Sequence, residues 1–509
     1  MKPKLIGGTK HATAVLVGVV CIAVLLLTLG LPTAAARGTA APTAPTLGHH
    51  TIVTRPTGFD DTANIQGAFN TCTGNGWTCT IELVKGTYHI SQIAVTGFQG
   101  SFVGAGQGST VIQGNPGLAS PTADPFWSAL PGPANPWPAM FTFVNGAFSI
   151  SGMTIRDTNF YPTLGWNWPT VGTETALWSW VLVTGTQAYV SMDHVTGIGG
   201  PGDLTAPGST DTFNNLNGMA FEGMLLPPGW SDPYADQIPL SGSFSLTSST
   251  FLWSGSAVWT ENVLDATVTI CFNSFQTIGA NGFWDISASQ VLFCGNVVTN
   301  IASEIASGYY GFQSVYKTDL LPSTVTVVGN YFSENTGGAG VLFLDYGPGA
   351  GLPSTLSAVV TGNVIVANTT CGECYSNGAL VGVLGYALVN FVASYNVVTG
   401  SPNAAGFGIA VNNYYGGANT GSAELVGNVV AGVNISISVF GANGVHVTGN
   451  VVKNSGAFGI VLWGGSSGNI VSRNVVTNSG LYDLYWDGTG TGDVWAHNTC
   501  STSSPPGLC

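Results

Sequence analysis

One short motif recurs along the chain and limits the possible fold more than any other feature. An asparagine, usually preceded by glycine and followed by two β-branched residues, appears at Asn273, Asn296, Asn330, Asn363, Asn396, Asn428, Asn450, Asn474 and Asn498. Successive copies are separated by 23, 34, 33, 33, 32, 22, 24 and 24 residues. A period of this length is typical of solenoids, and it is shorter than the unit of a β-propeller.

Each repeat consists of short β-branched runs, such as Ile460-Val461-Leu462, separated by Gly, Asn and Ser. This pattern predicts strands and tight turns rather than helices. Three short strands and three turns need about 22 residues, which is one coil of a parallel β-helix, and the longer units then carry about ten extra residues as a loop. Leucine-rich repeats also contain an asparagine at this period, but they require a leucine framework that is missing here.

The asparagine itself has a physical reason to recur. Its side-chain amide is both a donor and an acceptor, so equivalent asparagines in stacked coils can hydrogen-bond to one another as a ladder. We therefore expect an all-β, single-stranded parallel β-helix of roughly ten or more coils.

The first residues are typical of an export signal. Lysines precede an apolar run from Ala12 to Leu31, and small residues follow up to Ala36, so residues 1–36 are predicted to be a signal peptide. The alternative is an uncleaved membrane anchor, because about 20 apolar residues can span a bilayer. The Ala-, Pro- and Thr-rich residues 37–57 are predicted to be a linker.

Cysteine usage agrees with export. Outside the predicted signal, the chain has an even set of cysteines, which suggests disulfides in an exported protein. We expect four disulfides. Three join cysteines that are close in sequence, Cys72 with Cys79, Cys371 with Cys374 and Cys500 with Cys509, and the fourth joins Cys271 and Cys294 on adjacent coils. The Cys371-Gly-Glu-Cys374 segment also allows a redox or metal site, although no second CxxC accompanies it.

The charge balance excludes one class of partner. The chain has 10 basic and 24 acidic residues, and the lysines lost with the predicted signal peptide leave the remainder more acidic still. Phosphate binding depends on Lys and Arg, so we expect no nucleic-acid partner. A polyanionic ligand would need a bridging cation such as Ca²⁺, the one cofactor that the sequence leaves open.

The N-terminal part contains motifs of a known superfamily. "GFDDTANIQGAFNTC" predicts a capping helix near residues 61 to 71, and "LVKGTYHI" and "VGAGQGSTVI" follow it. This order resembles the entry to the right-handed parallel β-helix of the pectate-lyase-like superfamily, which includes pectate lyases and polygalacturonases. The resemblance covers residues 58 to about 114, continues through the repeats to about 500, and implies a right-handed coil.

The resemblance does not identify catalytic residues. Polygalacturonases share an Asp-Asp pair, Gly-His-Gly and Arg-x-Lys, and none of these occurs in the coil region, where Asp60-Asp61 lies at the cap instead. Pectate lyases use Ca²⁺-binding aspartates beside a basic catalytic residue, and the few Lys and Arg residues of the coils lie in no such motif.

Strand alternation predicts an outward-facing wall of aromatic and acidic residues. In the strand that follows each ladder asparagine by 8 to 12 residues, alternation places Trp259, Glu261 and Asp285 on the outside, with Phe343 further along. Glu261 and Asp285 are 24 residues apart on consecutive coils, so we expect them to act as a catalytic acid and base, because paired carboxyls carry out glycoside hydrolysis. The predicted substrate-binding residues are Trp259, Asp345, Phe440, Trp463 and Asp487.

Three predicted insertions interrupt the coils at about 116–140, 157–175 and 199–240, and they concentrate Trp and Pro. Long loops on a solenoid often flank its binding face, although the same aromatics can simply pack on the coil flank. The domain organisation is thus a cap and first coils at 58–114, a β-helix at 115–500, and a C-terminal tail at 501–509.

Together, these features predict a secreted or cell-surface protein that binds, and hydrolyses, an extracellular or cell-wall polysaccharide. Two alternatives stay open. One is a non-catalytic adhesin or structural rod, and the other is a polysaccharide lyase, which the scarcity of Lys and Arg disfavours.

Overall fold

A computed structural model of the chain describes residues 48–114, 139–157, 179–199, 217–225, 237–238, 240–254, 256–261, 263–278, 281–286, 289–301, 312–316, 323–333, 340–345, 356–366, 383–386, 390–400, 406–412 and 422–509. The predicted signal peptide and Cys371 and Cys374 lie outside these residues. Among the described residues, no helix combines the length and apolar character needed to cross a bilayer.

The described chain winds into coils, and the strands of one coil pair in parallel with the equivalent strands of the next. The expected parallel β-helix is therefore confirmed. Each coil has three faces: face A ends just before the ladder asparagine, face B follows it, and face C completes the coil. A strand that crosses over to a parallel neighbour in the same sheet does so with a right-handed connection, so the coil is right-handed.

The strands of face A are His49–Thr54, Thr78–Leu83, Ser241–Thr247, Ala266–Cys271, Gln290–Cys294, Ser323–Val328, Leu356–Thr361, Asn390–Ser394, Ser422–Val426, Val445–Thr448, Ile470–Ser472 and Val494–Ala496. Those of face B are Gly86–Ile90, Thr110–Gly114, Thr250–Leu252, Ser274–Ile278, Val297–Ile301, Tyr331–Ser333, Val364–Val366, Val397–Thr399, Val429–Ala431, Val451–Lys453 and Val475–Thr477. Those of face C are Asn217–Leu225, Val258–Glu261, Phe283–Ile286, Phe312–Tyr316, Val341–Asp345, Val383–Tyr386, Phe407–Asn412, Ile435–Phe440, Phe458–Trp463, Tyr482–Trp486 and Ser503–Ser504. Three long strands, Ile93–Gly104, Ala139–Asp157 and Ser179–Gly199, bend around corners and contribute to more than one face. The short strand Gln237–Ile238 pairs antiparallel with the end of Asn217–Leu225.

The N-terminal end of the coil is covered by one helix, Thr62–Gly74, close to the predicted position. Its apolar residues Ile65 and Phe69 are fully buried, and the Phe69 ring packs edge-on against Phe98. Asp61, also buried, accepts hydrogen bonds from the backbone N–H groups of Thr57 and His89 and so ties the start of the helix to the first coils.

The asparagines form the expected ladder. From Asn273 to Asn474, each side-chain Nδ2 donates to Oδ1 of the next asparagine at 2.9–3.0 Å. The same Oδ1 also accepts the backbone N–H of the preceding asparagine, as Asn363 shows with Asn396 at 3.0 Å. Each Nδ2 gives its second hydrogen to a face A carbonyl, so the buried amides are fully satisfied. Ser249 precedes Asn273 in this column and donates its N–H to the Asn273 side chain.

The interior of the coil is apolar. Alternate residues of each strand point inward, and Val, Ile and Phe dominate the buried positions. Stacked phenylalanines run along the axis, where the Phe293 ring lies 6.3 Å from Phe275 and 6.2 Å from Phe332. Burial of this apolar surface is the main favourable term for the coil.

Among the described cysteines three disulfides are formed, Cys72–Cys79, Cys271–Cys294 and Cys500–Cys509, and they are three of the four pairs expected from the sequence. Cys271–Cys294 joins two coils directly, because the two residues are register partners on face A. Disulfides of this kind are typical of proteins in oxidising compartments.

Two predicted boundaries differ from the structure. The strand His49–Thr54 lies inside the predicted linker and pairs with Thr78–Leu83, because its β-branched residues extend face A by one more strand. The strand Asn217–Leu225 lies inside the predicted insertion at 199–240 and pairs with Val258–Glu261 on face C. Its short apolar run, between Gly- and Pro-rich segments, hid the strand from the repeat pattern.

The C-terminal tail folds back over the last coil. Ser503–Ser504 pairs with Tyr482–Trp486, and the Leu508 side chain is buried. The buried carboxylate of Asp483 accepts the backbone N–H groups of Ser479 and Ser501. Asn498, the last member of the ladder, donates to the carbonyl of Leu508.

Candidate functional site

The outer side of face C carries most of the aromatic residues that the sequence placed on a binding wall. Trp259 and Trp284 are register partners on adjacent coils, and their rings are 4.6 Å apart. Trp259 also packs on a small apolar cluster outside the main core, formed by Ala139, Leu182 and Ala220. The indole N–H of Trp284 is buried and has no hydrogen-bond partner within the described part of the chain.

Asp285 does not belong to this outer wall. Its side chain is 1% exposed and accepts a hydrogen bond from the hydroxyl of Thr260 at 2.7 Å, inside the coil. The expectation that Asp285 points outward is therefore wrong. Phe343, expected on the outside as well, is also buried in the core.

The error comes from the length of one turn. Val258 and Phe283 are register partners, but Val258 follows Ser249 of the ladder by nine residues, whereas Phe283 follows Asn273 by ten. Because side chains alternate between the two sides of a strand, one extra residue in the turn reverses every side chain after it. Phe283 and Asp285 therefore point inward, and Trp284 between them points outward.

The register gives Glu261 a different partner. Glu261 pairs with Ile286 in one direction and with Glu222 in the other, so two glutamates occupy equivalent positions on neighbouring coils. The sequence pattern missed Glu222 because it lies in a segment that was interpreted as an insertion. Adjacent parallel strands lie about 4.8 Å apart, which brings the two backbone positions close together.

Further along face C, a second group of outward aromatic rings spans several coils. We call this group the aromatic platform; it consists of Phe407, Phe440, Phe458, Trp463, Tyr482 and Tyr485. The Trp463 ring makes edge contacts with Phe440 at 5.7 Å and with Phe407 at 6.4 Å. The Tyr485 ring lies 4.9 Å from Phe458.

Trp463 holds the centre of the platform in place. Its indole N–H donates to the Ser438 hydroxyl at 3.1 Å, on the coil before it. The ring therefore lies across the outer side of face C, and this explains why Ser438 and Val461 are buried although they point away from the core. Trp463 and Phe440 are both partly exposed, as expected from the sequence.

Asp487, expected to bind substrate, is hydrogen-bonded at the corner after face C, and its role in binding stays a prediction. Its Oδ2 accepts the backbone N–H of Gly464 at 2.8 Å, and its Oδ1 accepts the N–H and hydroxyl of Thr489. Partial burial acts to raise the pKa of Asp487, but the hydrogen bonds from Thr489 and Gly464 outweigh it and lower the pKa below the usual value.

This arrangement predicts a pH-dependent contribution to stability. Because the pKa of Asp487 is lower in the folded than in the unfolded protein, its carboxylate stabilises the fold at pH values above the unfolded-state pKa. This contribution is lost as the pH falls through the folded-state pKa. We expect the melting temperature of the wild type to fall more steeply than that of Asp487→Asn between about pH 5 and pH 2. If the melting temperatures of the two proteins fell by the same amount over that pH range, Asp487 would not stabilise the corner as inferred.

The other predicted site residues are only partly described. Asp345 ends the strand Val341–Asp345 and pairs with Tyr316, while its side chain and that of Glu261 lie outside the described side chains. The tryptophans of the predicted insertions also lie outside the described residues. Within the described ranges, no three His, Cys, Asp or Glu side chains come together as a metal site, and Ca²⁺ binding stays a prediction.

Several solved structures share the β-helix architecture. The mannuronan C-5 epimerase A-module of Azotobacter vinelandii matches at 14% identity over 88% of this chain and 96% of its own, with a TM-score of 0.41. An alpha-1,3-glucanase catalytic unit of Streptomyces thermodiastaticus matches at 13% identity over 92% of this chain and 71% of its own, with a TM-score of 0.43. The surface protein and adhesin PfbA of Streptococcus pneumoniae matches at 13% identity over 88% and 97% of the two chains, with a TM-score of 0.39.

Similarity at this level concerns the fold and carries no information about activity. No protein-family model matches the sequence, and no curated protein matches it. The parallel β-helix itself is shown by the strand pairing, and the resemblance to the pectate-lyase-like superfamily stays an expectation from the sequence motifs.

Proposed function

We propose that this protein is exported, binds a polysaccharide along the outer side of face C, and hydrolyses it. The observation that carries the proposal is the aromatic platform, whose partly exposed rings lie on consecutive coils. The flat apolar sides of sugar rings pack on aromatic side chains, and stacked coils offer such rings at regular intervals along one axis. A linear polymer lying along face C matches this geometry better than a compact ligand does.

Glu261 is the catalytic candidate that the register supports. Trp259, two residues before it, provides an aromatic contact on the same face, and Glu222 is its partner on the neighbouring coil. Retaining glycosidases use two carboxyl groups about 5–5.5 Å apart, one as a nucleophile and one as an acid that protonates the leaving oxygen. Glutamates at paired positions of adjacent coils are compatible with that separation. Asp285, inside the coil, has a structural role in this proposal.

Activity measurements on variants test the catalytic part. We expect Glu261→Gln and Glu222→Gln each to reduce the release of reducing ends from a responsive polysaccharide by about 10²–10⁴-fold. Glu424→Gln is the matched control, because Glu424 is an exposed glutamate on face A. Full activity in Glu261→Gln would rule out the proposed catalytic residue.

Binding measurements test the rest of the proposal. We expect Trp463→Ala to weaken binding of the same polysaccharide about tenfold. If wild-type protein binds in a Trp463-dependent way but releases no product, the protein is a non-catalytic adhesin or rod. An unsaturated product, detected by its ultraviolet absorbance, would instead indicate lyase chemistry.

A further inference from the structure

The residue just before each ladder asparagine forms the corner between face A and face B, and its backbone is left-handed. The corner residues with positive φ are Ser248, Phe272, Gly295, Gly329, Gly362, Tyr395, Gly427, Gly449, Arg473 and His497. Glycine adopts this conformation without cost. The aromatic residues in this column therefore need a separate explanation.

Phe272 and Tyr395 are disfavoured at these positions for two reasons. Their φ values are 61° and 54°, a region that costs residues other than glycine about 1 kcal/mol or more. Their side chains are also 70% and 67% exposed, so burial recovers little of that cost. Folding alone favours glycine at both positions.

Both rings nevertheless rest against the next coil. The Phe272 ring lies on Gly295 of the next coil, where a β-carbon would come within 2.8 Å of it. The Tyr395 ring lies in the same way on Gly427, with a corresponding distance of 2.7 Å. One side of each ring is seated on the coil, and the other side is open to solvent. Ordered rings bind with a smaller loss of conformational entropy than mobile ones.

The surroundings of the two rings indicate the class of ligand. The rings are four coils apart, about 19 Å along the axis, with Gly329 and Gly362 between them at the corner. The outward residues that border this stretch are uncharged: Cys294, Val328, Thr361 and Ser394 on face A, and Val297, Tyr331, Val364 and Val397 on face B. On a protein with a net charge of −14, an uncharged strip suits a neutral polymer and offers no cation to an acidic one.

We propose that this corner is a second polysaccharide-binding surface, on which a neutral glycan lies along the coil axis and stacks on Phe272 and Tyr395. We call it the corner site. It is separate from the aromatic platform on face C. It rests on the proposed function only in the choice of a polysaccharide as the ligand. With two such surfaces on one molecule, the corner site would hold the protein on a polysaccharide while the aromatic platform on face C binds a glycan chain.

Substitution by glycine separates binding from structure. We expect Phe272→Gly/Tyr395→Gly to weaken binding to soluble neutral polysaccharides, such as xyloglucan and galactomannan, by about tenfold or more in affinity electrophoresis. The melting temperature should not fall, because glycine suits the left-handed corner. Arg473→Gly is the matched control, since it makes the same backbone change at an exposed corner position without removing a ring, and it should bind like the wild type.

Two results would overturn the corner site. One is a double glycine variant that binds as tightly as the wild type, and the other is a double variant whose melting temperature drops, which would show that the rings have a structural role. Comparison with Trp463→Ala separates the two proposals. Loss of binding in Trp463→Ala alone supports face C against the corner site, whereas loss in the glycine variant alone supports the corner site against face C.

Discussion

Replacing Asn396 with alanine is expected to lower the free energy of unfolding by about 4 kcal/mol. Its Oδ1 accepts both the backbone N–H and the side-chain Nδ2 of Asn363, and its own Nδ2 donates to Val360 and Asn428. All these groups lie in a buried column without access to water. A buried donor that loses its acceptor costs about 1–3 kcal/mol, and the alanine also leaves a cavity.

A matched control lies in the same coil. Asn390 is exposed on face A, and its side chain hydrogen-bonds to the hydroxyls of Ser357 and Ser422. We expect Asn390→Ala to change stability by no more than about 0.5 kcal/mol. Asn396→Asp should be at least as harmful as Asn396→Ala, because it replaces the donor to Asn428 with a second acceptor. Denaturant unfolding of the three variants measures these differences, and equal effects of Asn390→Ala and Asn396→Ala would contradict the ladder's importance.

Thr260→Val is expected to cost about 2 kcal/mol. The Thr260 hydroxyl donates to Asp285 at 2.7 Å, and both side chains are almost completely buried. A buried acceptor that loses its donor is costly, and valine has the shape of threonine without that donor. The substitution therefore removes one stabilising contact from an almost completely buried carboxyl group.

The comparison with exposed positions makes this prediction specific. Thr324→Val, on the outer side of face A, makes the same chemical change at an exposed site and should be nearly neutral. A double-mutant cycle with Asp285→Ala, which removes the acceptor, should show a coupling free energy of about 1 kcal/mol or more. If Thr260→Val were no more harmful than Thr324→Val, the contact inside the coil would not contribute as we infer. Activity that survives Asp285→Asn would agree with an interior, structural aspartate.

The parts of the fold that were predicted correctly are those in which one residue has the same chemical task in every coil. Asn363 and Asn396 make the same bonds, so their spacing reports the coil directly. Cys271 and Cys294 keep a fixed distance from the ladder, and for this reason their pairing across two coils was predictable.

The candidate site was less predictable because face C lies at the far end of a turn of variable length. One additional residue between Asn273 and Phe283 moved Asp285 from the outside to the inside, whereas Trp463 and Phe440 kept the expected side. Glu222 could not be found by spacing, since no ladder asparagine precedes it at the repeat distance. The corner rings were visible in the sequence as Phe-Asn and Tyr-Asn in place of Gly-Asn, but their exposure and the sign of φ required the structure.

The folded-back tail has a consequence for how these molecules behave in solution. A parallel coil ends in a row of unpaired backbone groups, and such an edge can recruit the edge of another molecule and start a filament. Here, Ser503–Ser504 occupies part of that edge, and Leu508 accepts from the last ladder amide. Because Cys500–Cys509 ties the tail to the last coil, we expect the tail to disfavour head-to-tail pairing of molecules through this final coil.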